Sequence, residues 1–369
     1  MAIVRKVAVL SRSGRVYLDH AATTPVLAEA RVAMADALER WANPSSPHAD
    51  GRRVRAALDE SRRLFATLLD WRHDVILTSG ASEAINIAGA RAKVGKRLVN
   101  PTEHEAVIAA MGPDAALLRV GQNGLVDLDH LKAQLSEGPA LVAVQLVNNE
   151  TGVVQPIHEI QALVRETGSL LLVDCAQAAG KIVLPDADFI AISSHKFGGP
   201  PGVGALLVCD LAQLEPTGGQ ERGYRRGTEN WPSLEGMVAA LRTGAFMAEM
   251  PRLARLRATL EQEIEAGGGI VIARDAPRIA TIGAYALPEL ESASQLVQLD
   301  LAGISVSAGS ACSSGSMKQS HVLAAMGLPS GIVRSVIRVS FGPSTTERDT
   351  EQFVSEWCRI AARAKRTAA

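Results

Sequence analysis

The sequence has little of what marks secreted, membrane or metal-binding proteins. Only four of its 369 residues are cysteine. They lie far apart, without the paired spacing of a zinc site or the density of a disulfide scaffold, so no metal site is expected. No apolar run reaches the roughly 20 residues of a membrane span, and no signal peptide is evident. We therefore expect a protein of a reducing cytoplasm, with no membrane attachment.

Neither sign of charge is in excess. Lysine and arginine number 38 against 39 acidic residues, which gives a formal net charge of −1. This balance, without long runs of either sign, argues against a non-specific electrostatic grip on nucleic acid. Small molecules and other proteins are the expected partners. The 47% hydrophobic content is typical of a globular protein with a substantial core.

What the chain does contain is a series of short apolar runs alternating with helix-length amphipathic segments. Runs this apolar are typical of strands buried on both faces, so the pattern predicts an α/β fold with a parallel or mixed sheet between helices. The predicted strands lie within residues 74–80, 141–150, 170–177, 188–196 and 204–210. A helix is predicted within 49–70, with its arginines on a solvated face.

The composition changes in the last third of the chain. A glycine-rich region at 217–227 precedes a long charged helical pattern at 247–265, which is followed by three glycines at 267–269. This change predicts that a second domain begins near residue 246.

Three predicted strands end in residues that could hold a cofactor. Gly80, Ala81 and Ser82 begin a helix, where free N–H groups favour a phosphate. Asp174 ends one apolar run, and Lys196 ends the next. Each alone has an ordinary explanation, namely a helix cap, a salt bridge or a surface lysine. Together a phosphate cradle, a carboxylate for a ring nitrogen and a desolvated lysine for an aldehyde predict pyridoxal 5'-phosphate (PLP).

At this point the sequence resembles the cysteine desulfurases, PLP enzymes of the class V aminotransferase type. The resemblance covers nearly the whole chain in order, through the blocks YLDHAATTP (17–25), NPSSPH (43–48), TSGASEAIN (78–86), TEHEAV (102–107), VNNETGVVQPI (147–157), VDCAQAAGK (173–181), SSHKFGGPPGVGAL (193–206), GGQERGYRRGTEN (218–230), SAGSACSSG (307–315) and IRVSFG (337–342).

The resemblance implies a PLP-dependent transferase fold of the aspartate aminotransferase type. A large PLP-binding domain over 15–245 would hold a mostly parallel seven-stranded sheet sandwiched by helices. A smaller α+β domain, formed by 1–14 and 246–369, would carry the catalytic cysteine in a loop of small residues.

The resemblance also assigns roles to particular residues. Lys196 would be the Schiff-base lysine, Cys312 the sulfur-accepting nucleophile and His104 a ring-stacking residue that assists proton transfer. Arg338 would clamp the substrate carboxylate. The remaining cofactor-binding residues would be Ala81, Ser82, Asn149, Asp174, Gln177, Ser193, His195 and Thr228. Among these, Gln177 and Asn149 would contact the phenolic oxygen of the cofactor, and Thr228 would reach the phosphate of the other subunit in a homodimer.

The implied reaction converts L-cysteine to L-alanine and leaves the sulfur on Cys312 as a persulfide for an acceptor protein. Iron–sulfur cluster assembly and thio-cofactor or tRNA pathways are the candidate destinations, and the sequence does not choose among them. A class V aminotransferase, a selenocysteine lyase and a PLP-binding protein without turnover stay open as alternatives. Two departures from the family pattern, Ser194 and Ala42, fall on no group that does chemistry, and a third, Thr217 in place of a glycine, is expected to stiffen its loop slightly.

Overall fold

The structure is a computed structural model that describes residues 14–288, 290–309 and 319–368. Cys312 and its neighbours from 310 to 318 lie outside the described residues, as do residues 1–13 of the predicted smaller domain. The described residues form alternating strands and helices over most of the chain, as the sequence predicts.

The helices and strands have the following bounds. The strands are β1 (Val16–Tyr17), β2 (Asp74–Thr78), β3 (Lys96–Val99), β4 (Ala116–Leu117), β5 (Ala140–Ala143), β6 (Leu170–Asp174), β7 (Phe189–Ser193), β8 (Gly204–Val208), β9 (Ile270–Val271), β10 (Ile282–Ala286), β11 (Ile304–Ser305), β12 (Ser307–Ala308) and β13 (Val336–Ser340). The helices are α1 (Ala28–Glu39), α2 (Ala49–Leu68), α3 (Ala81–Arg91), α4 (Glu105–Met111), α5 (Leu128–Leu135), α6 (Ile157–Glu166), α7 (Trp231–Arg242), α8 (Ala245–Ala266), α9 (Ser292–Leu301), α10 (His321–Ala325), α11 (Ser330–Ser335) and α12 (Glu347–Ala368).

A seven-stranded sheet in the order β2-β8-β7-β6-β5-β3-β4 forms the centre of the fold. Its strands are parallel except β8, which runs antiparallel to both β2 and β7. Strand residues alternate between two apolar clusters: Leu171 and Val173 join one, and Leu170 and Leu172 join the other. Helices cover both faces, and the predicted α/β fold with a mostly parallel seven-stranded sheet is confirmed.

The C-terminal part of the chain builds a separate four-stranded sheet in the order β12-β13-β10-β9. Helices α8 and α12 pack on it in an apolar cluster that includes Leu253 and Trp357. Val16 and Leu18 join the same cluster. The predicted domain boundary near residue 246 coincides with the start of α8 at Ala245, and the division into two domains stays a prediction.

The prediction that the arginines of α2 face solvent is wrong for those that contact the loop at 217–230. The side chain of Arg62 is only 15% exposed and pairs with Glu221 through both oxygens. Arg55 pairs with Glu229, whose side chain is buried, at 3.0 Å. Because an isolated buried carboxylate is costly, these arginines serve as partners for the two loop glutamates rather than for water.

Candidate active site

A cavity of about 510 Å³ lies at the carboxyl ends of the parallel strands. Ligands of open α/β sheets bind at this edge, because neighbouring strand ends bring their following loops together there. Ten of the predicted site residues line it, namely Ala81, Ser82, His104, Asn149, Asp174, Gln177, Ser193, His195, Lys196 and Arg338. Residues more than 250 positions apart in the chain are thus gathered into one site.

The start of α3 forms one end of the cavity. Gly80 precedes the helix at a φ of 156°, and Ala81 and Ser82 occupy its first turn. First-turn N–H groups have no acceptor within a helix and carry the positive end of its dipole. A Cβ on Gly204 would lie 2.6 Å from the Cα of Gly80, so only glycine lets β8 approach this turn. The turn is therefore a suitable binding site for a phosphate.

Asp174 is the last residue of β6 and is 9% exposed. Its Oδ1 accepts a hydrogen bond from the Ala176 backbone N–H at 2.8 Å. Burial raises the pKa of Asp174, while the nearby His104 and Lys196 favour its charged form. The carboxylate therefore faces the cavity with capacity to bind a cationic or protonated group.

Lys196 lies in a single 3₁₀ turn, Ser194–Lys196, directly after β7. Its Nζ donates hydrogen bonds to the carbonyl oxygens of Ala21 at 2.8 Å and Ala22 at 2.9 Å. Burial and the positive charge of Arg338 lower the pKa of Lys196 to about 8. A lysine that loses its proton this easily is suited to attack an aldehyde and to move protons.

Two of the histidines that line the cavity, His104 and His195, have different environments. His104 caps α4, and its Nδ1 accepts a hydrogen bond from the Ala106 N–H at 3.1 Å. His195 Nδ1 lies 3.1 Å from Thr23 Oγ1. Burial and the nearby cations lower the pKa of His195 to about 4, so its ring is neutral at physiological pH.

Arg338 reaches the cavity from β13 of the four-stranded sheet. Its Nη2 pairs with Asp19 Oδ1 at 3.0 Å and its Nη1 donates to the Asn149 carbonyl oxygen at 3.0 Å. Asp19 in turn accepts a hydrogen bond from Ser307 Oγ at 2.9 Å. These contacts fix the guanidinium at the wall of the cavity opposite the central sheet.

Thr228 is not among the residues that line the cavity. It is exposed, in the loop whose Glu221 and Glu229 are held by Arg62 and Arg55. Glu221 Oε2 also accepts a hydrogen bond from the Leu77 N–H at 2.8 Å. The loop is therefore anchored on both sides of Thr228, while the threonine itself faces outward.

Sequence reasoning missed several buried ionisable residues in or next to the cavity, among them Glu150, which lines it, and also Glu103 and Lys181. Glu103 is fully buried, and burial raises its pKa well above the ordinary value. Lys181 is 2% exposed, and burial lowers its pKa to about 7. Both stand inside blocks that the resemblance uses, beside His104 and four residues after Gln177. The position of Lys181, four residues after Gln177, is the available signal.

Comparison with known proteins agrees with this geometry. The Aminotransferase class-V family model matches residues 16–353. This chain belongs to the class-V aminotransferase family. The cysteine desulfurase IscS of Dictyoglomus turgidum is 35% identical over 359 residues, which cover 90% of this chain and 91% of that protein. A cysteine desulfurase of Nostoc sp. is 36% identical over 377 residues, which cover 94% and 93%.

Solved structures of related proteins have the same fold as this chain. The NifS-like protein from Rickettsia africae superposes with a TM-score of 0.87 at 29% identity, over 94% of this chain and 99% of that one. A structure described as SspA in complex with cysteine has a TM-score of 0.77 at 26% identity, over 89% and 99%. The predicted resemblance to the cysteine desulfurases is confirmed, and the chain is a PLP-dependent enzyme of this family.

The residues of the cavity fit PLP on structural grounds. The start of α3 suits a phosphate, Asp174 suits a protonated ring nitrogen and Lys196 suits an aldehyde. Asn149 Oδ1 is buried and has no hydrogen-bond partner among the described residues, as expected of a group that binds a ligand. Phosphate, ring and aldehyde contacts are thus available within one cavity.

Proposed function

We propose that this protein is a cysteine desulfurase that converts L-cysteine to L-alanine and transfers the sulfur to Cys312 as a persulfide. One observation carries the proposal. Gly309 and His321, which flank the segment containing Cys312, line the same cavity as Lys196 and Asp174. The described residues on both sides of this segment therefore lie at the cavity.

The proposed roles follow from the contacts of each side chain. When bound, PLP supplies an electron sink for bonds to the substrate Cα. Asp174 would hold the ring nitrogen protonated, Ala81, Ser82, Ser193 and His195 would surround the phosphate, and Asn149 and Gln177 would contact the phenolic oxygen. Arg338 would bind the substrate carboxylate through its remaining N–H groups while Asp19 fixes its orientation.

Proton movement and sulfur transfer would be divided among three residues. Lys196, with its lowered pKa, would carry the proton of the substrate Cα, and His104 at the cavity mouth would assist. The Cys312 thiolate would attack the substrate sulfur. The carbon–sulfur bond breaks, its electron pair stays with the carbon fragment, and protonation releases alanine.

We also propose a homodimer in which Thr228 contacts the phosphate bound by the partner subunit. The support is the anchored loop that presents Thr228 away from its own cavity. No helix within the described ranges is both long and apolar enough to span a bilayer. The cytoplasmic location and an acceptor in iron–sulfur, thio-cofactor or tRNA pathways are part of the same proposal.

The function is tested by measuring alanine formed from L-cysteine, with and without an added thiol. Wild type should produce alanine, and Cys312→Ala should lose most of this turnover. Cys358→Ala, which alters a half-buried cysteine remote from the cavity, is the matched control. Undiminished turnover by Cys312→Ala would contradict the sulfur-carrier role. Amino transfer to 2-oxo acids without desulfuration would indicate an aminotransferase, and a strong preference for selenocysteine would indicate a selenocysteine lyase.

A further inference from the structure

Lys181 is a buried cation that the proposed reaction does not use. Among the described residues its Nζ has no carboxylate within ion-pair distance. It donates to Gln177 Oε1 at 3.1 Å and lies 5.0 Å from the centre of the Phe246 ring. Burying an ammonium group without a counter-ion is unfavourable. In the part of the chain that the structure describes, the side chain that accepts a hydrogen bond from the Lys181 Nζ is Gln177, so an effect of Lys181 is expected there.

The contacts of Gln177 determine which way its amide faces. Lys181 is a donor, and a backbone carbonyl is only an acceptor. Gln177 Oε1 accepts from Lys181 Nζ, and Gln177 Nε2 donates to the Ala21 carbonyl oxygen at 2.8 Å. The Ala21 carbonyl requires this amide orientation, and the Lys181 Nζ, which keeps N–H donors in both of its protonation states, is satisfied by it. Because Oε1 is directed to Lys181, the group that Gln177 offers to the cavity is the second N–H of Nε2.

The same carbonyl connects this amide to the reactive lysine. The Ala21 oxygen accepts from Gln177 Nε2 and also from Lys196 Nζ at 2.8 Å. Gln177 and Lys196 thus share one acceptor, and a flipped amide would place its oxygen against the Ala21 oxygen. Two acceptors facing each other repel, so a flip would disturb the backbone to which Lys196 is held.

We propose that Lys181 is a positioning residue that locks the Gln177 amide with its N–H toward the cofactor cavity and toward the carbonyl that holds Lys196. The inference rests on the proposed function to the extent that the cavity holds PLP. It implies that the N–H of Gln177 donates a hydrogen bond to an acceptor on the ligand, such as the phenolic oxygen of the cofactor. Phe246 contributes by covering the ammonium group from the other side.

The test compares wild type with Lys181→Met, which keeps the length of the side chain but neither donates nor carries charge. The readouts are cofactor affinity, measured by ultrafiltration, and the pH titration of the visible absorption of the loaded enzyme without substrate. A donor beside an oxygen anion stabilises the anion and eases loss of the neighbouring proton. Lys181→Met should therefore weaken cofactor binding about three- to tenfold. It should also raise by about one unit the pKa obtained from this absorption titration, here called the spectral pKa.

A double-mutant cycle separates action through the amide from a direct effect of charge. Lys181→Met should add little to the spectral shift when Gln177 is already methionine. An equal shift in both backgrounds would overturn the positioning role, and so would wild-type affinity and spectral pKa in Lys181→Met. Lys96→Met, which removes a partly exposed lysine bonded to Gln134 and Glu137, is the control and should change neither readout.

A second variant covers the case in which Lys181→Met does not fold. Gln177→Glu keeps the shape of the side chain, can accept from Lys181 and offers only oxygen to the cavity when ionised. It should raise the spectral pKa by at least as much, and an unchanged value would overturn the proposal. Both readouts need only bound cofactor, so a failure of desulfurase activity would be seen separately from a failure of this inference.

Discussion

Two regions of this protein bury charged side chains, and they do so in opposite ways. In the C-terminal part, Glu261 of α8 is 1% exposed and is bound by Arg278 through both oxygens, at 2.7 and 3.0 Å. Arg274 adds a contact at 3.0 Å and Arg257 one at 3.5 Å. At the cofactor cavity, Lys196 and Lys181 are buried against neutral oxygens instead.

The difference separates a structural cluster from a reactive one. In the Glu261 cluster the buried carboxylate is surrounded by arginines that compensate its charge, so the pairing serves the packing of this region. Unpaired cations in a buried site lose protons easily, and the pKa values of about 8 for Lys196 and 7 for Lys181 show this effect. Perturbed groups of this kind collect where chemistry occurs. The comparison leads to predictions in which the two regions respond differently.

The largest expected effect is on activity, from Lys196→Ala. The variant should lose the cofactor's covalent attachment, and desulfuration should fall by about 10³-fold or more, since the proton carrier is gone. Its free energy of unfolding without cofactor should not decrease, because a desolvated cation has been removed. Alanine assays, absorption spectra after dialysis and denaturant titrations measure these quantities. Lys96→Ala is the control. Substantial turnover in Lys196→Ala would contradict the proposed role of Lys196.

Glu261→Gln should show the reverse pattern. Removing the charge leaves arginines buried without their partner, which should cost about 3–5 kcal/mol of unfolding free energy. The spectrum of the bound cofactor should not change. The exposed neighbour Glu263→Gln should stay within about 0.5 kcal/mol of wild type. Equal losses from the two substitutions would show that the buried pairing is not what stabilises this region.

Much of the central fold could be predicted from the sequence. The runs at 170–177 and 188–196 became β6 and β7, because strands buried on both faces are apolar without interruption. Strand β4 has two residues, one of them exposed, and so gives no such signal. The error at Arg62 has a similar cause. Its partner Glu221 lies 159 positions away, and local periodicity carries no information on such a contact.

The residues of the site also divide into those that could be predicted from the sequence and those that could not. Lys196 and Asp174 stand at strand ends, so the rule that ligands meet the carboxyl edge of a sheet finds them. Asp19 pairs with Arg338 across 319 positions, and Lys181 contacts a side chain four positions away rather than a ligand. The first contact depends on the finished fold, and the second involves no ligand, so a search for ligand-binding residues in the sequence finds neither.

The pH dependence of stability should differ between wild type and Lys181→Met without cofactor. Lys181 has a native pKa of about 7 against an ordinary value of 10.5. Between these values the unfolded chain binds more protons, so this lysine makes wild type more stable as pH rises. The stability of wild type relative to Lys181→Met should increase from pH 7 to 10, by an amount on the order of a few kcal/mol.

Denaturant titrations across this pH range measure that difference. Because Cys175 and Tyr285 are common to both proteins and neither acts on Lys181, their own titrations cancel in the comparison. Parallel stability curves would mean that Lys181 keeps an ordinary pKa in the folded protein.

The smallest expected effect is a gain in stability at Ala273, which precedes Arg274 of the Glu261 cluster. Ala273 has a φ of 53°, in the left-handed region that favours glycine. Ala273→Gly should relieve this strain and raise the free energy of unfolding by about 0.5 kcal/mol, after the greater entropy of the unfolded glycine chain is subtracted. Activity should not change. A loss of 1 kcal/mol or more would show that the strain is absent.

The central claim is that the cavity delivers sulfur from L-cysteine to Cys312. The most direct measurement is mass spectrometry of the peptide containing Cys312, after the loaded enzyme has been incubated with L-cysteine and its free thiols have been blocked. The predicted result is one added sulfur atom on Cys312 in wild type and none in Lys196→Ala. Alanine formation with no sulfur on Cys312 in wild type would contradict the account.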